Sequence, residues 1–127
     1  MKHTFAEMLT SGEMVQMKTI TGATEQCIEA KTDGPTNHKA TTVAFIVPEG
    51  YVRFGATFTH DHSQGDSAHS DWATGDPRDG SVSLDVNAAG YHAHAKACVR
   101  DAFAVKVGSF ERLDKIRRAA LAASATE

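Results

Sequence analysis

Residues 51–62 read Tyr-Val-Arg-Phe-Gly-Ala-Thr-Phe-Thr-His-Asp-His. Tyr51, Arg53, Gly55, Thr57 and Thr59 alternate with Val52, Phe54, Ala56, Phe58 and His60, the period of two that marks a strand with one apolar face. Because successive side chains point to opposite sides, His60 and His62 leave the strand on one face, in the register of Phe54, Ala56 and Phe58. Two imidazoles at one strand end can grip one ion, and this is the most chemically suggestive spacing in the chain.

On the N-terminal side, Ala40 to Val47 is rich in β-branched and apolar residues and reads as a strand buried on both faces. Pro48-Glu49-Gly50 turns it back, so a hairpin with 51–62 is the economical pairing. Asp33-Gly34-Pro35-Thr36-Asn37 is a concentrated turn signal. Thr19-Ile20-Thr21 suggests β structure, whereas Ala23 to Ala30 fits either helix or strand. Phe5 to Lys18 has approximate helical spacing broken at Gly12, which gives one or two short helices.

On the C-terminal side, residues 63–80 form a long polar loop in which Trp72, the one large apolar side chain, is expected to dock on the surface. The alanines from Ala88 to Ala97 predict a helix over Val86 to Arg100, with Ser83 as N-cap and Asp85 in its first turn. Ala102 to Val107 reads as a short buried strand ended by Gly108-Ser109. Phe110 to Ala123 reads as a final helix, and residues 124–127 as a frayed tail. The expected fold is a single α/β or α+β domain over residues 1–127, with a mostly antiparallel central sheet flanked by helices.

A chain of 127 residues has room for one modest core. The net charge of −3, with thirteen Lys and Arg scattered along the chain, excludes nucleic acid as the main partner. The one basic concentration, Arg112, Lys115, Arg117 and Arg118, is interleaved with Glu111 and Asp114 and reads as a solvated helix face. No apolar run approaches the ~18 residues needed to span a bilayer, and the N-terminus lacks the apolar core of a secretory signal. Two cysteines, Cys27 and Cys98, are too few for a disulfide framework and too far apart for a Cys-x-x-Cys motif. They read as buried free thiols, which makes the cytoplasm the expected compartment.

A catalytic zinc takes three protein ligands and keeps one position for water. His60 and His62 supply two, and the third can come from Asp66, His69, Asp71, Asp76, Asp79 or Asp85. The carboxylate that would take the water's proton can be Glu25, Glu29 or Glu49. A second pair, His92 and His94, lies about 200° apart in the expected helix and cannot share an ion there. A serine-hydrolase elbow and a phosphate-binding Gly-rich loop are both absent from the sequence.

Glu25-Gln26-Cys27 ahead of a hairpin, Thr59-His60-Asp61-His62 at a strand end and Ser83-Leu84-Asp85 opening a helix resemble the motif order of JAB/MPN metallopeptidases of the JAMM type. The likeness is closest to the short JAMM-like domain of bacterial polymorphic-toxin and phage proteins. It implies zinc held by His60, His62 and Asp85, with Asp71, Asp76 or His69 as alternative ligands. It further implies Glu25 as general base, Ser81 or Ser83 as oxyanion helper, and cleavage of an amide or isopeptide bond in a protein or peptide substrate. The rival reading is a non-catalytic binding or regulatory module that recognises a protein partner through the 63–80 loop.

Overall fold

The computed structural model describes residues 5–115. Their order is α1 (Phe5–Ser11), β1 (Met14–Gln16), β2 (Glu25–Phe45), β3 (Tyr51–His62), β4 (Ser67–Trp72) and β5 (Gly80–Lys106), then a 3-10 turn (Val107–Ser109) and a helical stretch over residues 110–115. The chain is an α+β domain with an antiparallel central sheet and helices against it.

The expected helix over Val86 to Arg100 is a strand, and it belongs to the spine of the molecule. Every pairing in the sheet is made to β5, with β2 and β1 on one edge and β3 and β4 on the other. The local preference of alanine for helix loses to the alternation of Val82, Leu84, Val86 and Ala88, and then of Ala93, Ala95, Ala97 and Val99, all within 3% of full burial. A period of two puts each set on one side of a strand, whereas a helix would spread it around its circumference. A helix over this segment would also leave the other strands without a partner. Tertiary pairing therefore decides the conformation here.

β5 bends where Gly90 (φ 85°) and His92 (φ 59°) take left-handed conformations, opposite register shifts in β2 between Thr32 and Asn37. The turn signal at residues 33–37 is thus spent on a corner inside a ribbon and does not end the strand. On one side of the corner lie β2 37–45, β5 80–88 and β4; on the other lie β2 25–32, β5 93–106 and β3. Inner-face residues of both halves belong to one apolar cluster built from strand and loop side chains. None of the described helices contributes to that cluster, and the two halves bury one another. Phe58 on β3 and Trp72 on β4 meet edge to face at 5.7 Å across them, so the indole docks as expected.

Asp101, at φ 52°, makes a second bulge, and Asp is among the side chains that tolerate this region. Beyond it the parity of β5 reverses. Ala102 and Ala104 stay with the inner cluster, whereas Phe103 and Val105 turn outward. There Met14, Val52 and Phe54 join them under Met8 of α1 and Phe110 and Leu113 of the C-terminal helical stretch. The described helices thus cover one end of the outer face. Gly12, at φ 80°, ends α1 where the sequence places the break, because a left-handed residue cannot continue the helix.

Three further expectations need correction. β2 and β3 do not form a hairpin: the Pro48–Gly50 turn carries the chain to the opposite edge of β5, so Cys98 lies between Cys27 and Thr59. The strand at Ala40 to Phe45 is not buried on both faces but is an edge, with Ala40, Thr41, Thr42 and Ala44 exposed. The polar run 63–80 is not a continuous loop, since Ser67–Trp72 forms β4 along Val82 to Asn87. The last part of the expected final helix, including Arg117 and Arg118, and the tail at 124–127 lie outside the described residues.

Candidate functional site

The strand that carries His60 and His62 is present, but it does not deliver them to a metal. His60 Nε2 and Ser70 Oγ on β4 share a hydrogen bond at 3.0 Å, and the His60 ring stacks on His69 with centroids 6.4 Å apart and planes 11° from parallel. Asp85, expected at a helix start facing this site, lies flat on the outer face of the other half, between Ala40 and His69 in register. There its Oδ1 accepts a hydrogen bond from His38 Nε2 at 2.9 Å. Ser83, the expected oxyanion helper, sits between Thr42 and Asp71 on the same outer face.

The alternative ligands are also committed elsewhere. Asp71 Oδ1 accepts the backbone N–H of Trp72 at 2.8 Å, and Asp76 Oδ1 accepts from the backbone and the Nε of Arg78. His69 belongs to the stack on His60. Glu25 does border a shallow depression that His60 also lines, but its cross-strand partner is Arg100. Among the described residues no three His, Cys, Asp or Glu side chains are grouped so as to hold a metal ion. This finding overturns the zinc cofactor, the zinc-hydrolase activity and the likeness to JAMM-type metallopeptidases together. The physical cause is the change of Val86 to Arg100 from helix to strand, which moves Asp85 to the far half of the ribbon.

What the fold brings together instead is a ladder of charge around a crosslink. Cys27 and Cys98 face one another in register and are joined by a disulfide, not held as free thiols. On the same outer face Glu25 stands opposite Arg100, and Glu29 opposite Lys96. Thr57, Thr59 and Asp61 of β3 complete the row on the other side of β5. Glu29 also contacts His94 Nε2 at 3.3 Å and Lys31 Nζ at 3.4 Å. These partners, His94 foremost, hold its carboxyl below the ordinary value of 4.5 against the opposing effect of burial. The cytoplasmic expectation rested on free thiols, and the disulfide removes that premise.

The pairing is legible in the sequence once antiparallel register is considered. Glu25-Gln26-Cys27-Ile28-Glu29 places acids two residues either side of one cysteine, and Lys96-Ala97-Cys98-Val99-Arg100 places bases two residues either side of the other. Opposite charges at directly facing positions favour that register.

The second surface that the fold leaves available is an edge. Among the described residues, β2 from Asn37 to Ala44 pairs with β5 on one side only, and the nearest further strand contact is the bridge from Thr19 to Phe45. None of the described helices is long and apolar enough to cross a membrane. The chain matches no protein-family model, no curated protein and no solved structure.

Proposed function

We propose that the chain is a non-catalytic protein-association module that works by strand addition at the free edge of β2, and that the strand it takes is the same edge of a second copy. The observation that carries this reading is the one-sided pairing of Asn37 to Ala44 among the described residues. An edge strand offers alternate backbone N–H and C=O groups to any extended chain, and proteins that stay apart guard such edges with charge, proline or bulges. Here the guards stand at the ends. Pro35 and the register shifts precede Asn37, Lys39 follows it, and the Thr19 bridge covers Phe45. Between them Ala40, Thr41, Thr42, Val43 and Ala44 carry no charge.

The edge is compatible with itself. A two-fold axis at Thr41 sets Ala40 opposite Thr42, Lys39 opposite Val43 and His38 opposite Ala44, so no like charges meet and the side chains are small. The product is one continuous sheet running from β4 of one copy to β4 of the other, an isologous contact of the commonest symmetry.

The test is sedimentation of the untagged chain over a range of concentration by analytical ultracentrifugation, with two double variants. Ala40→Lys/Thr42→Lys sets like charges face to face twice across the axis and is expected to weaken the dimer about tenfold, whereas Ala40→Glu/Thr42→Lys sets opposite charges there and is expected to retain it. A monomer at every concentration, or a dimer indifferent to both variants, overturns the proposal.

A further inference from the structure

The Cys27–Cys98 disulfide lies on the outer face of the sheet, away from the inner cluster and from the end that the helices cover. It borders an open depression with Glu25, Thr59, Asp61, Lys96 and Arg100. Its two cysteines are not equivalent. Cys27 is partly exposed and Cys98 is 9% exposed. Cys98 stands between Lys96 and Arg100, two residues away on either side and on the same face, while Cys27 stands likewise between Glu25 and Glu29.

We propose that this disulfide is a thiol–disulfide exchange site with a fixed direction, in which an incoming thiol attacks Cys27. Exchange proceeds by thiolate attack along the S–S axis, and it is faster when the departing thiol is the more acidic. Attack on Cys27 Sγ forms a bond between the incoming sulfur and Cys27, breaks the bond to Cys98, and leaves the electron pair on Cys98 Sγ. Lys96 and Arg100 stabilise that thiolate, as neighbouring cations lower a thiol pKa. Attack at Cys98 would meet the less exposed cysteine and expel a thiolate between two carboxylates. A second thiol then attacks the mixed disulfide at the incoming sulfur and takes a proton to Cys27, so that two thiols are oxidised to one disulfide while the protein's own disulfide is reduced. The substrate class is a thiol, either a small molecule or a protein cysteine. The inference stands apart from strand addition, which concerns the other half of β2.

The experiment treats the folded, oxidised chain with reduced glutathione in one arm and with a protein dithiol of the Cys-x-x-Cys class in the other, quenches with acid and locates the adduct by peptide mass spectrometry. The adduct is expected on Cys27, and the Lys96→Gln/Arg100→Gln variant is expected to exchange about threefold to tenfold more slowly with its disulfide intact. In Cys27→Ser, the rate of Cys98 alkylation at a fixed pH is expected to fall severalfold when Lys96 and Arg100 are also replaced. Reaction in the glutathione arm identifies a small thiol as sufficient, and reaction in the protein arm alone identifies a protein cysteine; either supports the site. An adduct on Cys98, a rate unmoved by removing the cations, or no exchange without denaturant in both arms overturns it.

Discussion

The guanidinium carbon of Arg53 lies 4.8 Å from the centroid of the Trp72 ring. From there Nη1 donates to the carbonyl of Asp79 at 2.7 Å and Nη2 to that of Thr74 at 2.6 Å. One side chain on β3 thus covers the indole at the end of β4 and fastens both ends of the 74–79 connection that leads into β5. The backbone N–H of Arg53 donates to Pro77 as well, at 2.8 Å.

Arg53→Ala removes a stacked cation and two charge-assisted hydrogen bonds, and is expected to cost about 2–3 kcal/mol of stability. Arg53→Lys is expected to recover little of it, because a single ammonium cannot reproduce the planar fork that reaches both carbonyls while lying on the ring. Urea denaturation followed by the emission of Trp72, the only tryptophan, measures both. A Lys variant as stable as the parent would show that charge alone holds the connection.

Gly80 begins β5 directly opposite Phe45, and a Cβ built on it would stand 2.3 Å from the Phe45 carbonyl oxygen and 3.1 Å from a methyl of Val47. The oxygen belongs to the backbone of a paired strand, so Gly80→Ala cannot be absorbed by a rotamer change and must spread the ladder. The expected cost is about 1–3 kcal/mol, typical of overpacking. Gly34→Ala, with nothing within 4 Å of its added carbon, is the control and is expected to leave stability within about 1 kcal/mol of the parent. Equal midpoints in urea for the two variants would remove the steric account.

The difference between the two glycines is one that sequence reading does not reach, and the same limit explains the rest of the comparison. The fold class, the strand at 51–62, the end of α1 at Gly12 and the docking of Trp72 follow from patterns contained within a dozen residues. The identity of β5 does not. Its alanines favour helix locally, and only the presence of strands on both sides makes the alternation from Val82 to Val99 decisive. A helix there would set Asp85 and Ser83 at its start near His60, whereas the strand carries both to the other half of the ribbon and leaves no metal site among the described residues. The Cys27–Cys98 pairing needs two segments 71 residues apart to be read against each other, although the charges flanking each cysteine carry the register.

Acid is expected to weaken the fold through the 74–81 connection. Ser81, through its hydroxyl and its backbone N–H, holds the Asp79 carboxyl below the ordinary value of 3.8, with Thr74 and Arg53 assisting against burial. Arg78 does the same for Asp76. A carboxyl lowered on folding binds fewer protons in the native state than in the unfolded chain at any pH between its two values. Its contribution is therefore complete above 3.8 and is lost as the pH falls through the lowered folded value. Thermal unfolding from pH 6 downward is expected to show little change from these groups above about pH 5 and a decline beneath pH 4. Asp79→Asn is expected to flatten that decline; an unchanged slope would assign it to other carboxyls, Glu29 first among them.

Reduction of the disulfide probes how much of the fold depends on the covalent tie between β2 and β5. Cys27 and Cys98 close a loop of 71 residues, and the chain-entropy relation gives about 4 kcal/mol for a closure of that length, with unfolded-state structure lowering the realised value. Most domains of this size have only about 5–15 kcal/mol in total. The β2–β5 ladder, however, continues on both sides of the crosslink, from Glu25 to Thr32 opposite Ala93 to Arg100. The reduced chain is therefore expected to keep its strands and to lose stability, not structure. Far-ultraviolet circular dichroism should change little on reduction at 25 °C, while the urea midpoint falls by the equivalent of about 2–4 kcal/mol. The Cys27→Ser/Cys98→Ser variant should match the reduced protein, because both lack the constraint on the unfolded chain. Loss of the strand signal on reduction would mean that the ladder cannot hold its register unaided and that the crosslink specifies the fold as well as stabilising it.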